Sequence, residues 1–89
     1  MYVIFTAVEY NQGTTEEAAV QALKEGLIPM IKQAPGFVKG EWFGDDKHGH
    51  TMVVFETEEQ AKPGVQQVGE VFMGVTVTSS AVYRLHAEA

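Results

Sequence analysis

Residues 34–56, A-P-G-F-V-K-G-E-W-F-G-D-D-K-H-G-H-T-M-V-V-F-E, decide how the rest of the chain is read. Pro35-Gly36 ends a helical pattern, because proline cannot continue a helix and glycine tolerates the left-handed backbone that closes one. A strand through Trp42-Phe43 follows, then a polar turn at 45–49, then a second strand ending at Phe55. Gly49 stands where such a turn would need a positive φ. The stretch is read as a central β-hairpin, with a helix on each side and a strand beyond each helix.

Upstream, Tyr2–Tyr10 (Y-V-I-F-T-A-V-E-Y) is rich in β-branched and aromatic residues and is bounded by Asn11-Gln12-Gly13, which predicts a strand. Both of its parities are apolar, Tyr2, Ile4 and Val8 on one and Val3, Phe5 and Ala7 on the other. Such a strand expects cover on both faces. Thr14 with Glu17 fits a capping box, and Val20, Leu23, Leu27, Met30-Ile31 and Ala34 then follow a helical stripe. Pro29 should kink that helix or end its regular hydrogen bonding a turn early.

Downstream, Thr57-Glu58-Glu59-Gln60 repeats the capping signature ahead of the stripe Ala61, Val65, Val68 and Phe72. Pro63-Gly64 falls inside that stripe and either breaks the helix or begins its regular part. Residues 74–86 alternate as a long closing strand, in which Ser79-Ser80 marks a bulge or a change of pairing partner. The order β-α-β-β-α-β predicts an α+β, ferredoxin-like domain over 1–89, two helices covering one face of a four-stranded antiparallel sheet. Strand parity sets Phe37 and Phe43 against Val38 and Trp42, and Val53 and Phe55 against Met52 and Val54. Apolar residues thus reach the face that no helix covers, and a two-fold homodimer is the expected remedy.

Eighty-nine residues make one domain. Without cysteine there is neither a disulfide nor a thiolate metal site. Twelve acidic against six basic residues, a formal charge of −6, argue against binding a phosphate backbone, so no nucleic-acid partner is expected. The run Tyr2–Phe5 has neither a basic region before it nor a cleavage site after it, and no apolar run is long enough for a bilayer. The expectation is a soluble cytoplasmic protein without a membrane partner.

The element order, the Pro35-Gly36-Phe37-Val38 helix exit, Trp42 in the next strand, Val53-Val54-Phe55-Glu56-Thr57 into the second helix, and Gly74-Val75-Thr76-Val77 to Val82-Tyr83-Arg84-Leu85 resemble the antibiotic biosynthesis monooxygenase (ABM) type of dimeric α/β barrel. The resemblance runs along essentially the whole chain. It implies a homodimer whose last strand reaches the partner. It also implies a cofactor-independent monooxygenase acting on a small aromatic or quinol-like compound. The alternative within the same family is a non-catalytic dimer that binds a small ligand or serves a structural or regulatory role. Haem-degrading members resemble one another in an asparagine within the first strand and an axial histidine on the second helix. Here Asn11 lies just past the first strand and residues 57–72 contain no histidine, so haem degradation ranks last.

Cofactor-free oxygenation needs a base, donors for a developing oxyanion, and an apolar cavity that excludes water. On the resemblance, His50 is the candidate base, ahead of His48. Trp42 and Tyr83 complete the catalytic set, and Asn11, Trp42 and Arg84 are the substrate-binding candidates, with no metal and no cofactor. Each residue also has a plainer reading. Trp42 is a large core or interface side chain. Tyr2, Tyr10 and Tyr83 pack their rings and keep their hydroxyls at a wet edge, Arg84 joins a salt bridge, and His86 is exposed. Asp46, His48 and His50 have a composition that suits a divalent cation if they share a face, yet they read more simply as a solvated hairpin tip.

Overall fold

The computed structural model describes all 89 residues, Met1–Ala89. The chain runs β1 (Tyr2–Tyr10), α1 (Glu16–Ala22), a π turn (Leu23–Leu27), α2 (Ile28–Ile31), β2 (Phe37–Gly44), β3 (His48–Phe55), α3 (Glu58–Ala61), a 3-10 turn (Lys62–Gly64), β4 (Val71–Phe72) and β5 (Val75–Arg84). The strands form one antiparallel sheet in the order β2-β3-β1-β5-β4. The architecture is α+β, and no helix is long and apolar enough to cross a membrane.

The sheet has five strands where the sequence pattern led to four. The helix after Thr57 lasts one turn, because Pro63 removes a backbone donor and the chain is extended again by Val65. Val65 and Val68 therefore do not share a helical face with Ala61; Val68 is exposed and Ala61 fully buried. Val71 and Phe72 instead pair with Thr76 and Val75, closing a two-residue hairpin through Met73-Gly74. Both turn residues have positive φ, +51° and +81°, the signature of a type I′ turn.

The cap of α1 is Thr15 rather than Thr14: its side chain accepts from the Ala18 amide at 3.1 Å. The second capping box forms as its sequence suggests, Thr57 accepting from Gln60 N while Gln60 Oε1 accepts from Thr57 N. Helical backbone continues from 16 to 31 through a widened turn, where Ile28 N donates to Leu23 O five residues back. Pro29, next in the chain, has no N–H to give to Glu25, and its ring would crowd that carbonyl. The wide turn absorbs the mismatch without ending the helix.

Register settles which side chains share a face. Ile4, Thr6 and Val8 on β1 pair with Val53, Thr51 and Gly49 on β3, and this set faces the helices. On β2 the register slips between Phe37 and Lys39, so Val38 is the extra residue of a bulge. The slip puts Phe37 and Trp42 on the helix-facing side together and Phe43 on the other, contrary to simple alternation. A second bulge leaves Thr78 unpaired between Val77 and Ser79, one residue before the Ser79-Ser80 step. The tightest core lies at one end of the covered face, where Ile4, Val53, Phe55 and Ala61 are all below 5% exposed.

The hairpin tip also differs from expectation. Gly49 lies inside β3 without a positive φ, and the turn is made by Asp45, whose carboxylate accepts from the amides of Lys47 and His48 at 2.9 and 2.8 Å. These two bonds hold its pKa below the ordinary carboxylate value.

Candidate functional site

The 16–31 helical segment is anchored at its end, where Ile31 and Ala34 pack on the core cluster. Between this segment and the sheet lies a cavity of about 1020 Å³. Its floor is the helix-facing side of β1, β2 and β3, and its roof includes Leu23, Leu27 and Ile28. Three floor positions, Gly40, Gly44 and Gly49, are glycines. A Cβ at Gly40 would strike the Trp42 ring at 2.6 Å, and one at Gly49 would meet Val8 at 3.1 Å and Tyr10 at 3.3 Å. The missing side chains at Gly40 and Gly49 let the Trp42 ring, Val8 and Tyr10 lie close against the strand backbone.

The floor is apolar except for one row. Trp42 on β2 lies opposite Thr51 on β3, Thr51 opposite Thr6 on β1, and Thr6 opposite Ser80 on β5. Four polar side chains thus cross four strands in a single rung. At its β5 end Thr6 Oγ1 and Ser80 Oγ are 2.9 Å apart, and Ser80 Oγ also accepts from Gln66 N at 3.0 Å. At the other end Trp42 Nε1 is buried and has no acceptor. Leaving such a donor unpaired costs about 1–3 kcal/mol. Tyr10 lines the same cavity. Burial first, then the charges of Glu16 and Asp45, raise its phenol pKa above the usual value, so it is a neutral hydrogen-bonding group at neutral pH.

Of the residues singled out from sequence, Trp42 stands in this cavity. His50 borders it, but its ring stacks between Phe5 and Phe43, at centroid distances of 5.9 and 5.4 Å. Those residues belong to the face that the helices do not cover, so the imidazole and the indole sit on opposite sides of the sheet. His50 Nδ1 is buried there without a partner. Tyr83 is 56% exposed and pairs with Val3 on that same open face. Asn11 is occupied structurally: its Oδ1 accepts from the Thr76 hydroxyl at 2.6 Å and its backbone N–H donates to Gly74 O. Arg84 ends β5 opposite Tyr2 and is exposed.

At the hairpin tip His48 approaches Asp45 at 3.4 Å, both exposed. No three His, Asp or Glu side chains gather closely enough anywhere to hold a metal ion. Sequence reasoning missed Thr6, Thr51 and Ser80. Their only signal is a hydroxyl at one helix-facing position in each of three apolar strands, visible once the register aligns them. Comparison with protein-family models and with curated proteins returns no match.

Proposed function

We propose that this chain binds a small, flat, largely apolar molecule in the space between the 16–31 helical segment and the sheet. The cavity itself carries the reading: about 1020 Å³, an apolar floor crossed by one polar rung, and exposed charged residues such as Glu16, Lys24, Glu41 and Glu59 among the rest of its lining. Trp42 is the aromatic wall against which a planar ligand would stack. The fold is proposed to be the ferredoxin-like, ABM-type half of a dimeric α/β barrel. The order of the four long strands supports this, with β4 as an added edge. A second copy would cover the open face, where Phe5, Phe43, Met52 and Tyr83 stand uncovered by any helix.

Oxygenation of a quinol-like compound without a cofactor is the second reading. Trp42 and Tyr10 favour it as hydrogen-bond donors for an oxyanion formed in an apolar space. Ligand binding ranks first because the His50 ring, the base the sequence suggests, faces away from Trp42. Calorimetric titration with 1-naphthol tests binding, and oxygen uptake with hydroquinones and dihydroxyanthracenes tests turnover. Saturable binding without uptake supports the first reading, and uptake lost in Trp42→Ala supports the second. Absence of both rejects the cavity as a site.

A further inference from the structure

We infer that Thr51, with Trp42, is the specificity-determining pair of the cavity and selects an uncharged planar ligand that carries a hydrogen-bonding oxygen. The inference rests on the binding reading above and adds to it the chemistry of the ligand.

Three observations carry it. The rung from Trp42 to Ser80 is polar across an apolar floor, and its two ends differ. Thr6 and Ser80 satisfy each other, with the Gln66 amide as a third member. Trp42 Nε1 is unpartnered, and the neighbouring Thr51 hydroxyl makes none of the side-chain hydrogen bonds of the chain although it lines the cavity. Within the polar rung the unpaired hydrogen-bonding capacity therefore lies at the Trp42–Thr51 end, the other buried unpaired atom, His50 Nδ1, being on the opposite face of the sheet.

The indole N–H can only donate, whereas a hydroxyl both donates and accepts. A phenol, ketone or quinone oxygen brought to this end of the rung can serve either group. A hydrocarbon of the same outline would cover both groups and leave them dry and unpaired, which a polar site resists more strongly than an apolar site resists a missing methylene. Charge is disfavoured for a separate reason. The charged residues that line the cavity, Glu16, Lys24, Glu41 and Glu59, are all exposed and carry three negative charges to one positive, so an anion gains little from them, while the floor positions Ile4, Thr6, Val8, Thr51 and Val53 offer an ion no charged partner.

The test compares 1-naphthol, naphthalene and 1-naphthoate by calorimetry on the wild type and on Thr51→Val and Thr51→Ser. Thr51→Val keeps the side-chain shape while removing the hydroxyl; Thr51→Ser keeps the hydroxyl. The expected result is a preference for 1-naphthol over naphthalene of roughly tenfold, the equivalent of one net hydrogen bond. That preference should collapse in Thr51→Val and persist in Thr51→Ser, with 1-naphthoate weakest throughout. Equal affinity for 1-naphthol and naphthalene, or a preference unchanged in Thr51→Val, would overturn the inference and leave the cavity reading standing. Failure of all three compounds to bind the folded wild type would overturn both.

Discussion

The six-membered ring of Trp42 covers Gly40, so closely that a Cβ at position 40 would come within 2.6 Å of Cη2 and 2.8 Å of Cζ3. The two residues sit two apart on one strand and on one face, and the glycine is what allows the indole to lie down along the cavity floor. Gly40→Ala should drive the indole off this seat. The expected cost is about 1–3 kcal/mol, as for other overpacked sites. Because Trp42 is the sole tryptophan, its emission maximum should shift in the variant, while far-ultraviolet dichroism stays that of the parent. An unchanged emission spectrum would mean that the ring does not rest on Gly40.

Met73 occupies a left-handed position, φ +51°, that the β4–β5 turn imposes. A methionine is sterically strained there, and its side chain is 48% exposed while its end reaches the helical segment near Gly26. Met73→Asn creates the Asn-Gly pair that type I′ turns prefer. Urea denaturation should show a gain of about 1 kcal/mol.

The capping box at Thr57 holds the single turn of α3 against the core through Ala61. Thr57→Ala removes one bond of the reciprocal pair and should lower stability by about 1 kcal/mol. Thr14→Ala should have a smaller effect than Thr15→Ala, because Thr15 supplies the cap to α1.

Asp45 gives a pH dependence of defined sign. Its folded pKa lies below its unfolded value because the carboxylate accepts the Lys47 and His48 amides. Its contribution to stability is therefore complete above the unfolded carboxylate range and is lost as pH falls through the lower folded pKa. In denaturant titrations, wild type should exceed Asp45→Ala at pH 6, and the gap should narrow steadily toward pH 2. A gap that widens in acid would contradict the turn geometry.

The strands were legible where pairing runs without interruption. In β1, alternation places Ile4 and Val8 on the covered face and Val3 and Phe5 on the open one, as the register has it. In β2 it misled, because the bulge at Val38 reverses parity partway along and brings Phe37 and Trp42 to the same side. The Val65 and Val68 spacing imitates a helix stripe, yet after the break at Pro63-Gly64 Val65 is extended and Val68 lies in a turn with Gly69 ahead of β4. Trp42 could be singled out from sequence because a lone indole in a strand is unusual. The cavity around it could not, since it depends on how the 16–31 segment sits over the sheet, which no local pattern states. Thr6, Thr51 and Ser80 are ordinary strand residues one at a time and become a rung only when four strands are aligned.

Calorimetric titration of 1-naphthol into wild type and into Val8→Trp tests the central claim most directly. Val8 stands on the cavity floor, and a larger side chain there would occupy the ligand's space without touching the open face. The expected outcome is saturable one-to-one binding per chain in the wild type and its loss in a folded Val8→Trp variant. Equal binding by the two proteins, or none by the wild type, would contradict it.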